Sequence, residues 1–161
     1  MLEFIKNFQS TVLGTLDTKG LPFGSYAPFV HYEHKFYVFI SNVAQHAQNL
    51  QRIPKASLMF IEDESKSEQI FARKRISLQC SSIMVDKDEE KFTEVMNVFK
   101  ARFSEDMVVM LMGMADFNLY ELSTDYGEAT FGFGEAYNIG GEHMENLVKR
   151  SGGTGHGHKK S

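Results

Sequence analysis

The stretch from residue 10 to residue 42 constrains the fold more than any other part of the chain. It consists of short runs of β-branched, aromatic and other apolar residues, interrupted at DTKG (residues 17–20) and YEHK (residues 32–35). Apolar runs separated by turn-forming residues predict β-strands, and Gly20 suits the positive φ that a tight turn requires. The stretch is therefore predicted to fold as a meander of antiparallel strands.

The remainder of the chain adds further strands and a few helices. Helices are predicted over residues 44–53, 88–103 and 142–150, and strands over residues 56–63, 115–124 and 129–141, with a polar loop and a long strand pair over residues 63–85. In the meander, Phe36, Val38 and Ile40 alternate with Tyr37 and Phe39, so the two sets are predicted to lie on opposite faces of one strand. Short strands at close spacing predict a mainly β (α+β) fold, a closed or partly closed antiparallel barrel with flanking helices.

The length of 161 residues suits one domain with one core. Residues 1–150 are predicted to form this barrel domain, whereas residues 151–161 are too rich in Gly, His and Lys to hold themselves in a core. The single cysteine, Cys80, excludes an intramolecular disulfide and a multi-cysteine metal cage. Cys80 lies in a strand-like run, where a small packed residue is expected.

The charge balance limits the classes of partner. The chain has 17 Lys and Arg against 21 Asp and Glu, a formal net charge of -4, which argues against a surface built for nucleic acid or for an anionic membrane. No run approaches the roughly 18 apolar residues of a membrane span, and the first residues lack the basic-then-apolar pattern of a signal peptide. A cytoplasmic protein is expected.

The C-terminal sequence GGTGHGHKKS contains two histidines, His156 and His158, among four glycines. Glycines permit a close backbone approach to a flat ligand, and a neutral imidazole is a good axial ligand for iron. A solubilising tail has a similar composition. Both interpretations are open from these residues alone.

A cluster of three cations, Arg73, Lys74 and Arg75, leads into an apolar run. Arginine grips phosphate or carboxylate through a bidentate fork and lysine acts as a point charge. In an extended segment Arg73 and Arg75 share one face, so both guanidinium groups are predicted to be able to converge on one anion. The alternative is a solvated cluster that balances the acidic residues 62–64.

Three further features are weaker signals. Asp116 at the beginning of a predicted strand is either a turn cap or a carboxylate that orients a metal-ligating histidine. The GFG of residues 132–134 lacks the third glycine and the helix of a dinucleotide fingerprint, and is interpreted as strand glycines against which something packs closely. The remaining histidines are expected at turns and on polar helix faces or ends; they are His31, His34, His46 and His143.

Five segments together carry a family resemblance. They are SYAPFV (25–30), QHAQNL (45–50), FARKR (71–75), ADF (115–117) and GFGEAY (132–137). In this order and spacing they resemble the HugZ/HutZ-type haem-degrading proteins, which belong to the split-barrel superfamily of pyridoxamine phosphate oxidases and other flavin-binding proteins. The resemblance covers about residues 10 to 160.

The resemblance implies a homodimer of split β-barrels in which a histidine of the C-terminal loop, residues 151–161, coordinates haem iron at the dimer interface. It implies that Asp116 hydrogen-bonds that histidine from the other subunit and that Arg75 lies beside the haem, with Arg73, Lys74 and Arg75 neutralising propionates. The Gly-His-basic-basic pattern of residues 157–160 favours His158, whereas the spacing from the GFG segment favours His156.

The resemblance also implies an activity. A haem oxygenase of this type binds haem b and opens the porphyrin with O2 and an electron donor to a biliverdin-type product, releasing iron and CO for iron acquisition. Two alternatives share the fold. One is an FMN-dependent oxidoreductase similar to pyridoxamine phosphate oxidase, with the basic residues on the FMN phosphate, and the other is a non-catalytic haem storage or carrier protein.

Overall fold

The computed structural model describes residues 1–150, and these residues form eight strands and four helices. The strands are β1 Ser10–Leu16, β2 Pro22–Tyr32, β3 Lys35–Ser41, β4 Lys55–Ile61, β5 Arg75–Val85, β6 Phe117–Thr130, β7 Ala136–Gly140 and β8 Asn146–Lys149. The helices are α1 Leu2–Ile5, α2 Gln45–Arg52, α3 Glu90–Arg102 and α4 Glu105–Met112, and 3-10 turns occupy Glu64–Lys66 and Ile70–Ala72.

Six of the strands close into an antiparallel barrel. Their order is β3-β2-β1-β4-β5-β6, and the barrel closes where β3 pairs with the first half of β6, from Phe36↔Leu122 to Ser41↔Phe117. Strand β6 is long enough to pair with β3, β5 and β7 along its length, so β7 and β8 extend the sheet beyond the barrel. The predicted mainly β fold and its antiparallel barrel are confirmed.

The alternation in β3 divides the apolar residues between two cores. Phe36 and Val38 point into the barrel, where they pack with Phe60 of β4. Tyr37 and Phe39 point outwards and lie under α3 and α4 in a second cluster. Both faces of the strand are buried, because the helices cover the side that an antiparallel sheet often leaves to water.

The helices differ from the sequence prediction in three places, the first being the short α1, which was not predicted. Helices α2 and α3 lie within the predicted ranges, but α4 was not predicted; the hydroxyl of Ser104 caps it by accepting from the amide of Met107. The helix predicted over residues 142–150 is wrong, because β8 pairs there with β7 after a turn in which Gly141 and Met144 adopt positive φ. Pairing with an available sheet edge decides the conformation of this short polar segment.

Two further predictions need correction. Residues 75–85 form one strand instead of a strand pair, and the preceding residues form 3-10 turns. Residues 132–134 are not in a strand, because Gly132 and Gly134 adopt positive φ at the turn between β6 and β7. Within residues 1–150, no helix has the length and apolar character needed to cross a membrane.

Candidate functional site

The three cations at the start of β5 have different environments. The Nε of Arg73 donates to the carbonyl of Glu62 at 2.6 Å, and its Nη1 lies 3.7 Å from the exposed carboxylate of Glu64. Arg75 pairs with Thr130 of β6, and its Nη1 donates to the carbonyl of Arg73 at 2.7 Å. Arg73 therefore contacts the acidic loop, as the solvated-cluster alternative expects, whereas the guanidinium of Arg75 contacts the backbone of Arg73.

The backbone around Lys74 is fixed, while its amine remains exposed. The amide of Lys74 donates to the carboxylate of Glu62 at 3.0 Å, and its carbonyl accepts from the amide of Glu62 at 2.9 Å. Among the residues the structure describes, no carboxylate lies within ion-pairing distance of the side-chain nitrogens of Lys74 or Arg75. These two cations are the ones with capacity to bind an external anion.

Asp116 is held at the opposite end of the barrel. It lies in the turn between α4 and β6, where its Oδ2 accepts from the hydroxyl of Ser41 and its carbonyl accepts from the amide of Asn42 at 2.7 Å. Its Oδ1 accepts no hydrogen bond from any residue in the range 1–150. Asp116 is half-buried, and its Oδ1 is available to accept a hydrogen bond from a group outside residues 1–150.

The structure separates Asp116 from Arg75 within one chain. Asp116 precedes the first residue of β6, whereas Arg75 pairs with Thr130, its last residue. Strand β6 has 14 residues, which at about 3.3 Å each measure roughly 45 Å along the strand. No arginine side chain bridges such a distance, so one chain does not bring the two residues together.

His156 and His158 lie outside the described residues. The position of Arg150, the last residue before their segment, is defined. The amide of Arg150 donates to the carbonyl of Ala136 at 3.2 Å, and its Nε donates to Asn138 at 2.8 Å. Ala136 pairs with Thr130, and Thr130 pairs with Arg75. The segment that carries His156 and His158 therefore starts at the same end of β6 as Arg75.

A cluster of imidazoles joins the β2–β3 turn to the β7–β8 turn, and the sequence did not predict it. The carboxylate of Glu145 lies 3.0 Å from Nε2 of His31 and 3.1 Å from Nδ1 of His34, and the ring of His143 stacks on His34 at 3.6 Å. His31 is partly buried, and burial lowers its pKa despite the opposing effect of Glu145. The only hint in the sequence was the His-x-x-His spacing of His31 and His34 across a turn. This spacing forms a cluster only because the β7–β8 hairpin supplies the carboxylate of Glu145.

His46 and Cys80 each have a defined contact or packing environment in the barrel domain. Nδ1 of His46 lies 2.9 Å from the hydroxyl of Ser25, which donates to the carbonyl of Leu13, so Nδ1 carries the proton in this arrangement. Burial lowers the pKa of His46. Cys80 is 2% exposed, and burial raises the pKa of its thiol to about 12, which makes it an unreactive packing residue. Within residues 1–150, no group of three or more His, Cys, Asp and Glu is arranged to hold a metal ion.

One face of the sheet exposes apolar side chains. Val12 of β1 pairs with Tyr26 of β2 and with Met59 of β4, and Tyr26 is 64% exposed. Gly24, two residues from Tyr26 along β2 and on the same face, is exposed, and a Cβ there would meet nothing within 4 Å. An antiparallel sheet usually presents polar residues to water, so this apolar face is suited to contact with another protein surface.

Comparison with known proteins agrees with this architecture. The sequence profile of the pyridoxamine 5'-phosphate oxidase family matches residues 1–131. The closed six-stranded barrel is therefore the split barrel of that class. Within the class, the chain belongs to the HutZ-type family, because it is 38% identical over 146 residues to the haem oxygenase HutZ of Vibrio cholerae, covering 91% of this chain and 82% of that one.

Solved structures give the same relationship. A crystal structure of Vibrio cholerae HutZ, there described as a haem storage protein, superposes with a TM-score of 0.77 at 36% identity over 82% of this chain and 94% of that one. ChuZ of Campylobacter jejuni superposes with a TM-score of 0.79 at 31% identity, over 92% of this chain and 60% of that one.

Proposed function

We propose that the protein is a homodimeric haem oxygenase, which binds haem b and opens its ring with O2 and an electron donor. The observation that carries the proposal is the Oδ1 of Asp116, which accepts no hydrogen bond from residues 1–150, at one end of β6, with Lys74, Arg75 and the start of the C-terminal segment at the other. The name of the HutZ relative, a haem oxygenase, supports the same function.

The distances favour a site shared between two copies. His158 lies eight residues beyond Arg150, and eight extended residues span at most about 28 Å. This reach is shorter than β6, so a histidine of the C-terminal segment meets Arg75 of its own chain more readily than its own Asp116. Asp116 of a second copy completes the site, and the apolar face around Tyr26 is the proposed contact between the copies.

The residues fit a haem in charge and in hydrogen-bonding capacity. Lys74 and Arg75 lack carboxylate partners in the described chain and would pair with the two propionates. His158, with His156 as the alternative, would bind the iron through one ring nitrogen and donate its other N–H to Oδ1 of Asp116. Haem supplies the oxygen chemistry when bound, and the products are a biliverdin-type tetrapyrrole, iron and CO.

The residues of the chain would influence the haem chemistry by orienting the iron ligand and the cations that bind the propionates. Ser41 holds the carboxylate of Asp116 in one orientation, and this carboxylate fixes the tautomer of the ligating imidazole and increases its basicity. Arg73, tied to the loop through the carbonyl of Glu62, offers its own carbonyl to the guanidinium of Arg75 and so orients that side chain. A cytoplasmic location belongs to the same proposal, because haem opening needs a supply of reducing equivalents.

Two observations favour alternative functions, haem storage and FMN binding, and the experiment must distinguish them from haem opening. The description of HutZ as a haem storage protein favours haem binding without turnover, and the family match favours FMN, whose phosphate Lys74 and Arg75 would bind. Absorption spectra separate these ligands, because bound haem gives a Soret band and FMN gives flavin bands.

The decisive test is a haem titration of the intact chain, of a chain ending at Arg150, and of the His156→Ala, His158→Ala and double variants, followed by addition of a reductant in air. We expect the axial-ligand spectrum to be lost with the operative histidine and the Soret band to decay to a biliverdin-type product. A stable Soret band under reductant would establish storage, and an unchanged spectrum in the double variant would remove the C-terminal segment from the site.

A further inference from the structure

A cavity of about 410 Å³ lies where the two apolar cores meet, between α1, β2 and α3. On β2 it is lined by Phe29, which belongs to the barrel core, and by Val30, which belongs to the core under the helices. Its volume is in the range of ligand sites, roughly 300–1,000 Å³. Packed interiors contain few voids larger than a water molecule, so this α1–α3 cavity is a candidate ligand site.

The wall of the α1–α3 cavity is mostly apolar. Leu2 and Ile5 line it from α1, and Val98 and Ala101 line it from α3. Among residues 1–150, no aspartate or glutamate lines it. Apolar surface gains free energy when it leaves water, so the wall suits a ligand with an apolar body.

Three basic side chains also line the cavity, and two of them already face carboxylates. The amine of Lys6 lies 2.7 Å from Glu3, and Nε2 of His31 lies 3.0 Å from Glu145. The third is Arg102, which forms no ion pair with any carboxylate of the described range. Arg102 is therefore the basic group of this wall with capacity for an external anion.

The guanidinium of Arg102 is held in place, but its hydrogen bonds are incomplete. Its Nη2 donates to the carbonyl of Phe8, and its Cζ lies 5.6 Å from the centre of the Phe29 ring. Its Nε is buried without a partner in residues 1–150, and its Nη1 donates to no residue of that range. Because the charge is delocalised over all three nitrogens, an anion at Nη1 would stabilise the buried part of the group as well.

We propose that the α1–α3 cavity binds an apolar monocarboxylate of the fatty-acid type, with its alkyl chain against the apolar wall and its carboxylate on Arg102. Charge complementarity selects this occupant, because one cation without a carboxylate partner matches one anionic head through charge-assisted hydrogen bonds. The inference does not rest on the proposed function, since Asp116, Lys74 and Arg75 do not line this cavity.

Octanoate is the probe, and 1-octanol is its uncharged counterpart. Isothermal titration calorimetry measures their binding to the full chain, to Arg102→Gln and to Val98→Phe, in which a larger side chain reduces the space beside α3. Arg52→Gln is the matched control, because Arg52 also lies in the last turn of a helix but is exposed and does not line the cavity. A double variant, Lys74→Gln with Arg75→Gln, removes the cations of the proposed haem site. Circular dichroism and urea unfolding check the folding of each variant.

Octanoate is expected to bind wild type and Arg52→Gln equally, and Arg102→Gln about tenfold more weakly, equal to about 1.4 kcal/mol. 1-Octanol should bind wild type and Arg102→Gln with the same affinity, because it does not use the charge. Val98→Phe should weaken the binding of both compounds. The double variant of Lys74 and Arg75 should bind octanoate as wild type does.

Three results would overturn the inference. Absence of saturable octanoate binding to wild type would show that the cavity holds no such ligand. Equal octanoate affinity in wild type and in folded Arg102→Gln would remove Arg102 from the site. A loss of affinity in the double variant of Lys74 and Arg75 would place octanoate on those cations instead. If Arg102→Gln does not fold, Val98→Phe decides, and an unchanged octanoate affinity in that variant would exclude the cavity.

Discussion

At the scale of single residues, the hydrogen bond from Ser41 to Asp116 is the contact that matters most for the proposed chemistry. It joins the last residue of β3 to the turn before β6, and no residue of the described range donates to the second carboxylate oxygen. The sequence placed Asp116 at the beginning of a strand but did not identify Ser41 as its partner, because 75 residues separate them.

We expect Asp116→Ala to lower the rate of haem opening more than it lowers haem affinity. The carboxylate increases the basicity of the ligating imidazole but does not contact the porphyrin, and such outer partners typically contribute 10- to 100-fold, roughly, in activity or affinity. Ser41→Ala, which frees the carboxylate to rotate, should give a smaller effect in the same direction. Stopped-flow absorbance and the reduction potential of the bound haem measure both variants, and a wild-type rate and potential in Asp116→Ala would reduce Asp116 to a turn residue.

The partly buried His31 makes folding stability depend on pH. Burial lowers its folded-state pKa below the ordinary value, so the neutral form is favoured in the folded state. Its stabilising contribution is therefore present above about pH 6.5 and is lost as the pH falls from there through the folded-state pKa. Burial also lowers the pKa of His46, so its contribution to stability depends on pH in the same direction. The facing groups are Glu145, which opposes the shift, and His34, which adds to it.

Urea unfolding of the ligand-free protein at about pH 7.5 and about pH 5.5 checks this dependence. The midpoint should fall on acidification, and by less in His31→Gln, which cannot take up the proton. An equal fall in both proteins would assign the pH dependence to other groups.

At the scale of elements, the packing between β5, β6 and β7 depends on one strand glycine. Gly127 is buried in β6, and a Cβ there would lie 2.7 Å from Leu78 Cδ2 and 2.8 Å from Ile139 Cγ1. The neighbouring side chains belong to packed strands and have little room to move.

Gly127→Ala is expected to destabilise the fold by about 1–3 kcal/mol, the usual cost of overpacking a core. Gly24→Ala is the matched control, because a Cβ on that strand glycine meets nothing within 4 Å; it should be neutral or slightly stabilising. Chemical denaturation measures the free energy of unfolding of both variants. An unchanged value for Gly127→Ala would show that β7 can shift to accommodate the methyl group without loss of stability.

The helices and strands also show where local sequence patterns were sufficient to predict the secondary structure. Helix α3 follows from its own apolar stripe, since Phe92, Val95, Met96 and Phe99 are all buried. Helix α4 exposes Met107 and Met110 while burying Val108, so its apolar residues do not follow a clean periodic pattern. Strand β8 formed because β7 offered an edge, which no pattern within residues 142–150 indicates.

At the scale of the whole molecule, the placement of Asp116 and Arg75 at opposite ends of β6 makes a site shared between two copies the central prediction. Each complete site would take Asp116 from one copy and the ligating histidine from the other.

Subunit mixing tests this arrangement. A chain with Asp116→Ala and a chain with both His156→Ala and His158→Ala are each expected to be nearly inactive. Their heterodimer contains one intact site and one site that lacks both groups, so random mixing, which makes about half of all dimers mixed, should restore about one quarter of wild-type activity. Dimers purified through two different affinity tags after co-expression are all mixed, and these should show about one half of wild-type activity. A mixed dimer without activity would contradict the shared site.

The sequence by itself determined the strand meander, the two-faced character of β3, helix α3 and the chemical groups available for binding. These depend on side chains within a few residues of one another, and the periods of strand and helix are properties of the local backbone. The motifs of the resemblance were also visible, because they are local strings of residues.

Only the tertiary structure decided which groups meet. Barrel closure through β3 and β6, the return of Arg73 to the acidic loop, the meeting of His31 with Glu145 and the separation of Asp116 from Arg75 all depend on contacts between residues far apart in sequence. The free energy of such contacts comes from burying shared surface and from pairing strand edges, and neither is encoded in the neighbours of any one residue.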